Sequence, residues 1–390
     1  MYKPLLLPLF AALSVTAGDA QQQTQSFSYT GAVQTFQVPA GVTALTIQAS
    51  GAQGGAGSPG TPGGKGATLS ATFPVTPLET LSILVGGAGG TFTHFGESNG
   101  GGGGASFVYR PGFSLLLAAA GGGGGVDDQV GVAGSATTAA SAGQSPTGAP
   151  AGANGNGGGR SLILSGGGSG GGLRTDGGFN FTGQGGKALV NGAAGGTWSG
   201  GGSGGFGGGG AGAVQGGGGG GGYNGGGGGS AGVTQIFPGA GGGGGSFTDA
   251  TATAGPLVGA PEAGDGQVVL TWIACQPPTV TSLTASPNTL WPPNGAMTPV
   301  ALTVTDTGGC GSVTCKIISV KSSEPIDAGG DWEITGNLTL NLRAARLGTR
   351  VGTGNGRVYT ITVQCTDSNG NAVTKTVTVL VPHFQGHNGG

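Results

Sequence analysis

The chain has 390 residues, of which 98 are glycine and 21 proline, with no strict Gly-X-Y period; such a mixture marks low complexity or disorder. Only 7% of residues are charged, too few for a chain kept disordered by its charge. The net charge of −2 argues against nucleic acid, which requires a basic stripe, and gives no support to acidic or basic partners in general.

The N-terminus reads MYKPLLLPLFAALSVTAGDAQQQ. Lys3 supplies a short positive region, and Leu5 to Val15 an apolar run too short to span a bilayer. Val15-Thr16-Ala17 or Gly18-Asp19-Ala20 offers a small-x-small cleavage site. A secretory signal is therefore expected over residues 1–20, with the mature chain starting near Gln21; a buried N-terminal strand is the alternative. No cysteine follows the apolar run, and no hydrophobic C-terminal tail marks an anchor. The expected product is secreted or held at the cell surface, with no membrane span.

The next block is FSYTGAVQTFQVPAGVTALTIQAS. Phe36 and Val38 alternate with polar neighbours, as do Leu45, Ile47 and Ala49, and this period of two predicts half-buried strands. Pro39-Ala40-Gly41 is the turn between them. KGATLSATFPVTPLETLSILVGG predicts two strands around Pro77, and ASFVYR and FSLLLAAA two more around Pro111-Gly112. DGQVVLTWIA closes the region. Between Ala120 and Asp265 strands are sparse and glycine prevails, as in QGGGGGGGYNGGGGGSAG from Gln215 to Gly232.

Strands at both ends predict a sheet that closes on itself and holds the ends of the glycine segment together. Glycine chains anchored this way can adopt an extended three-fold helix of the polyproline-II type, rising about 3.1 Å per residue. Lacking Cβ atoms, several such helices can pack side by side. Their N–H and C=O groups then pair between helices, helped by weak Cα–H···O contacts. Ordering glycine is costly in entropy, so dense inter-helix hydrogen bonding must offset it. A disordered glycine loop is the alternative.

QTFQVPAGVTALTIQASGAQGG, LETLSILVGGAGG, NGGGGGASFVYR and LLLAAAGGGGG occur in this order. The set resembles the glycine-rich module of secreted bacterial proteins, itself similar to the extracellular glycine-rich region of the anaplastic lymphoma kinase and leukocyte tyrosine kinase receptors. The resemblance covers most of residues 26–274. It implies an all-β fold, with a jelly-roll-like sheet domain holding a polyglycine-II helix bundle over residues 21–274. It also implies a surface or binding module rather than an enzyme. No ligand-binding residues carry over position by position.

From residue 275 to 383 the composition is ordinary. TVTSLTASPNTLWPPNGAMTPVALTVTD gives a strand, a Pro-rich corner and a second strand. VTCKIISVKS, DWEITGNLTLNLRAAR, GRVYTITVQCTD and NAVTKTVTVLVP follow, and this spacing predicts a β-sandwich. Tyr359, Ile361, Val363 and Cys365 share one strand face, and Asp367 to Asn371 form a hairpin turn. Residues 384–390 read as a flexible tail.

LWPPN, CKIISVKSSEP, GDWEI and GRVYTITVQCTDSNGN resemble the bacterial immunoglobulin-like modules repeated in exported proteins. The resemblance implies a C-terminal immunoglobulin-like β-sandwich. Members often follow Trp-Pro-Pro-Asn with His-Lys, where this chain has Gly295 and Ala296; no role is carried over for that pair.

The four cysteines, Cys275, Cys310, Cys315 and Cys365, all lie in this part of the chain. An even count in an exported chain predicts disulfides, and their spacing is a poor match to a zinc site. In a sandwich, Cys310 would end the second strand, Cys315 begin the third and Cys365 end the sixth. Pairing of Cys365 with Cys310 or Cys315 is then favoured, and Cys275 takes the remaining thiol. The sequence alone permits all three connectivities.

Gly-x-Ser-x-Gly occurs around Ser169, Ser203 and Ser230, but such matches arise by chance in this composition and lack a strand-turn-helix context. Lys65 and Lys187 follow glycines without the hydroxyl residue that a phosphate loop requires. His383 and His387 read as solvated, and His94 has no neighbouring base or carboxylate pair. Asp367 and Asn369 hint at a calcium loop but lack its continuation. No catalytic residue, cofactor or metal site is expected.

Phe179, Phe181, Trp198, Phe206, Tyr223 and Phe237 punctuate the glycine zone. They either pack on the flank and ends of the bundle or decorate its tip loops as a binding surface. Trp198 and Tyr223 rank first for partner contact because glycine surrounds each, followed by Asn224 and Phe206. Tyr223-Asn224 also reads as a turn between two helices, or only a cap. The sequence thus predicts an exported, non-catalytic protein for surface attachment or extracellular interaction, with an extracellular protein or glycan as partner. A structural envelope or matrix component and a carbohydrate-binding accessory module are the alternatives.

Overall fold

The computed structural model describes residues 21–58, 61–94, 97–145, 147–161, 165–230, 238–274, 276–326, 330–348 and 356–383. The chain is all-β, built from antiparallel sheets, and separates into two compact units at Ile273/Ala274. Pro111–Phe113 and Leu189–Asn191 are single 3-10 turns. Among the described residues no helix is long and apolar enough to cross a membrane.

The first unit contains β1 (Gln21–Ser28), β2 (Gln34–Gln37), β3 (Ala44–Ser50), β4 (Thr68–Pro74), β5 (Thr80–Leu84) and β6 (Thr91–His94). It continues with β7 (Glu97–Gly100), β8 (Ser106–Arg110), β9 (Ser114–Ala119), β10 (Phe247–Thr248), β11 (Ala254–Val258) and β12 (Gln267–Ala274). Two five-stranded sheets, ordered β1-β12-β3-β4-β11 and β10-β9-β8-β5-β2, enclose one apolar core. Leu45, Ile47 and Ala49 enter it from β3, as their period of two predicts, and Val268 and Leu270 from β12. On the outer face of the first sheet Thr46 and Thr72 join hydroxyls at 2.8 Å across registered strands. β12 pairs with β3 from Gln267↔Ser50 to Thr271↔Thr46, so the chain, which leaves for the glycine zone from β9 of the second sheet, ends the unit in the first.

The second sheet is covered on both faces. Val108 and Leu117 face the first core, while Phe107, Tyr109, Leu115 and Ala118 pack with Leu189 and Ala193 from the glycine zone. Burial on both faces accounts for continuous apolar runs such as SLLLAA in β9. Alternation does not mark β1, the β6–β7 hairpin, β10 or β11. β11 shows why: all five of its residues are exposed, so no buried face selects a period.

The described residues of the glycine zone are joined by backbone hydrogen bonds. In residues 216–222, the N–H of Gly217 donates to the Gly239 carbonyl at 3.0 Å and that of Gly220 to Gly242 at 2.9 Å. Gly218 and Gly221 donate to Gly100 and Gly103, and Gly219 and Gly222 to Gly168 and Gly171. Successive N–H groups therefore address three neighbouring segments in turn and return to the first after three residues. The carbonyls are used in the same way: those of Gly218 and Gly221 accept from Gly124 and Gly121, those of Gly217 and Gly220 from Gly229 and Gly226, and that of Gly219 from Gly210. A β-carbon on Gly217, Gly218 or Gly220 would fall 2.1, 2.0 or 2.2 Å from a neighbouring carbonyl oxygen. No side chain fits at that separation, which is why the run is glycine.

The second unit contains β13 (Thr279–Ser286), β14 (Met297–Thr307), β15 (Thr314–Ser322), β16 (Trp332–Ile334), β17 (Thr339–Arg343), β18 (Arg357–Thr366) and β19 (Ala372–Val381). Its sheets are ordered β13-β14-β17-β16 and β15-β18-β19. Tyr359, Ile361, Val363 and Cys365 are wholly buried from β18, meeting Val300, Leu340 and Leu342 of the other sheet. Cys315 and Cys365 are in register on β15 and β18 and form a disulfide, one of the two pairings favoured for Cys365. Cys310 is also disulfide-bonded, and Cys275 lies outside the described residues. Gly295 has φ 80°, a left-handed position suited to glycine, and its N–H bonds the Ala344 carbonyl.

Candidate interaction surface

The aromatic residues of the glycine zone fall into two groups. Tyr223 is the apex of the reversal between residues 216–222 and 225–230, whose antiparallel pairing runs through Gly220/Gly226 and Gly217/Gly229. Its half-buried ring stacks on Phe247 with centroids 4.7 Å apart, and it packs with the cluster under β8 and β9. Asn224 is buried: Oδ1 accepts the Gly155 N–H at 2.7 Å, and Nδ2 donates to the Thr138 carbonyl at 2.6 Å. These bonds fix the turn to two other segments and leave Asn224 no surface to offer a partner. Phe206 belongs to the same half-buried cluster, its ring centroid 6.5 Å from that of Tyr29. Trp198 is half-buried over its own turn, so close that a β-carbon on Gly200 would lie 2.6 Å from its ring. The flanking glycines give Trp198 a flat backbone on which to lie. Phe237 lies outside the described residues.

Phe179 and Phe181 are the exposed pair, at 58% and 85% exposure. The residue between them explains this. Asn180 is buried, its Nδ2 donating to the Gly167 carbonyl at 2.9 Å and its N–H closing a turn onto the Gly183 carbonyl. Anchoring Asn180 inward holds its two neighbours outward. Arg160 completes the surface: its guanidinium carbon lies 4.2 Å from the Phe179 ring centroid, and Nε donates to the Phe179 carbonyl at 2.8 Å. Elsewhere in the glycine zone, Asp176 accepts from Lys187 Nζ, the Ala188 N–H and Asn191 Nδ2 at 2.8–2.9 Å. Partial burial pushes the Asp176 carboxyl up, but these donors outweigh it and hold the pKa below its ordinary value. Ranking aromatics by glycine surroundings places Trp198 and Tyr223 first; the exposure of Phe179 and Phe181 follows instead from the contact of Asn180 with Gly167, which no local pattern marks.

Two of the three Gly-x-Ser-x-Gly serines, Ser169 and Ser230, have structural hydroxyl bonds. Ser169 is wholly buried; its Oγ accepts the Gly228 N–H at 3.0 Å and donates to the Gly159 carbonyl at 2.6 Å. Gly225 donates directly to Asn156, three residues earlier on both segments, so the Ser169 hydroxyl relays the next bond of that series. Ser230 is also wholly buried, its hydroxyl 2.8 Å from that of Thr147. In the second unit, the Asp367 carboxylate accepts the N–H groups of Cys310, Asn369 and Asn371 and the Asn371 amide, so donors occupy both of its oxygens. That is a turn cap, the opposite of a calcium cradle. Among the described residues no group of three or more His, Cys, Asp or Glu side chains is placed to hold a metal ion.

Fold and surface together define a two-unit, disulfide-bonded all-β protein whose glycine zone displays one anchored aromatic pair. The chain matches no protein-family model and no curated protein.

Proposed function

We propose that this chain is an exported, non-catalytic attachment protein that uses the Phe179–Phe181 surface to engage an extracellular protein or glycan. The observation that carries this reading is the exposed aromatic pair on a frame whose anchoring of Asn180 keeps the rings from folding inward. Aromatic side chains and arginine are the residues that most often dominate binding energy at interfaces.

The finer architecture is part of the proposal. The three-residue return of hydrogen bonds in residues 216–222 supports a polyglycine-II bundle. Two sheets closed over one core support a jelly-roll-like holder. The orders β13-β14-β17-β16 and β15-β18-β19 correspond to the ABED and CFG sheets of constant-type immunoglobulin domains, which supports an immunoglobulin-like spacer or docking unit. The resemblance to secreted glycine-rich modules points the same way. A disulfide fits an oxidising compartment, and the buried, engaged hydroxyls of Ser169 and Ser230 fit a structural role for those serines.

The test is binding of the full-length protein to intact cells, comparing wild type with the Phe179→Ala/Phe181→Ala double variant. At least tenfold weaker binding with unchanged thermal unfolding is expected. Unchanged binding by the folded variant would overturn the reading. It would instead favour a structural envelope or matrix component, which the dense glycine packing also suits.

A further inference from the structure

Residues 136–138 and 246–250, with Pro256, enclose a cleft of about 410 Å³ at the Tyr223–Asn224 end of the glycine zone. Small-molecule sites are typically about 300–1,000 Å³. Both walls are held from behind. Asn224 Nδ2 fixes the Thr138 carbonyl, and the Ser246 N–H donates to the Thr137 carbonyl at 2.7 Å. The buried Ser246 hydroxyl donates to the Ser135 carbonyl and accepts the Ala120 N–H. On the facing segment the Asp249 N–H bonds the Leu116 carbonyl, while Thr251 donates its N–H and hydroxyl to Asp249 Oδ1 at 2.9 and 2.6 Å.

On the cleft lining these bonds use backbone groups, the Ser246 hydroxyl and one carboxylate oxygen. Asp249 Oδ2 and the hydroxyls of Thr138 and Thr248 have no hydrogen-bond partner among the described residues. Beside them lie Ala250 and Pro256, whereas the Phe247 ring turns to the other face of β10 and stacks on Tyr223. The lining contains no lysine, arginine or histidine and a single carboxylate. That chemistry disfavours an anionic ligand, which would meet Asp249, and offers far fewer oxygens than the six to eight that calcium takes. It suits an uncharged ligand with hydroxyls along one edge and an apolar face.

The geometry points to this cleft as a binding site for a neutral saccharide. The Asp249 carboxylate and the threonine hydroxyls meet the sugar's hydroxyl edge, and Ala250 and Pro256 meet its C–H face. The bonds behind the walls hold the backbone of the site before binding, which lowers the ordering cost. The site rests on the reading of the protein as an extracellular binding protein, but not on the Phe179–Phe181 surface.

The full-length protein, labelled for amide NMR, is titrated with glucose, galactose, mannose, N-acetylglucosamine, cellobiose and chitobiose. At least one sugar is expected to give saturable shifts at Thr138, Thr248, Asp249 and Ala250. Ala250→Trp, which fills the cleft from an exposed position, should weaken that binding at least tenfold. Thr248→Val should weaken it several-fold and keeps the side chain's shape. Phe179→Ala/Phe181→Ala should leave it unchanged. The inference is overturned if no sugar shifts these amides saturably, a result obtained on wild type alone. It is equally overturned if folded Ala250→Trp binds as wild type does, or if the phenylalanine variant abolishes sugar binding.

Discussion

The Arg357 guanidinium meets the Asp331 carboxylate at 2.6 Å, with both side chains withdrawn from solvent. Glu324 and the Tyr359 hydroxyl each lie 3.2 Å from the same guanidinium, and Arg343 Nε lies 3.3 Å from Asp331. The Tyr359 hydroxyl donates to the Arg343 carbonyl at 2.8 Å. This network ties the start of β18 to the end of β17 and to the segment before β16. Asp331→Ala leaves Arg357 buried with a partner lost, which typically costs about 3–5 kcal/mol. Denaturant unfolding of the second unit is expected to show that loss. Pairing Asp331→Leu with Arg357→Met should recover much of it, because apolar replacements of a buried ion pair are often neutral.

Gly218 sits where a β-carbon would lie 2.0 Å from the Gly210 carbonyl oxygen. Overpacking a dense site typically costs about 1–3 kcal/mol and occasionally more. Here the obstacle is backbone held by its own hydrogen bonds, so Gly218→Ala is expected at or above the top of that range. Gly348 is the control: a β-carbon there would meet nothing within 4 Å, and Gly348→Ala should be nearly neutral. Thermal unfolding of the two variants provides the comparison.

Ser169→Ala removes a hydroxyl that serves one N–H and one carbonyl inside the glycine zone. Leaving a buried polar group unmatched costs about 1–3 kcal/mol. The variant should be destabilised by that order, with Gly228 among the amides whose hydrogen exchange accelerates most. Equal stability and unchanged exchange at Gly228 would refute the relay.

Asp367 gives the second unit an acid dependence. Burial pushes its carboxyl up, but the Asn371 side chain and the N–H groups of Cys310, Asn371 and Asn369 outweigh it and hold the pKa below the ordinary 3.8. With the folded-state value depressed, its contribution is complete above the unfolded-state pKa and is lost as pH falls through the folded-state one. Stability of the second unit should therefore decline on acidification below about pH 4. Asp367→Asn should be less stable at neutral pH and show a shallower acid decline, read from unfolding at a series of pH values.

Strands with one buried face are legible from alternation, as at Leu45, Ile47 and Ala49 of β3 and Tyr359 to Cys365 of β18. β11 is not, because none of its residues is buried. The return of β12 onto β3 follows from strands at both ends of the glycine zone. Which aromatics face solvent is not legible. Tyr223 is drawn under β8 and β9 by an apolar cluster assembled from distant segments, whereas Phe179 and Phe181 are pushed out by the bonds of Asn180. Glycine neighbours are common to both situations and cannot separate them. The Ser169 relay is equally hidden, since it depends on a three-residue register between segments far apart in the chain.

The central claim is that the glycine zone is a hydrogen-bonded framework with a three-residue repeat. Residue-resolved amide hydrogen exchange across residues 216–230 tests it most directly. The account predicts slow exchange throughout Gly217 to Gly222 and again from Gly225 to Gly229, since each of these N–H groups has an acceptor on another segment. Rapid exchange throughout both runs would contradict it.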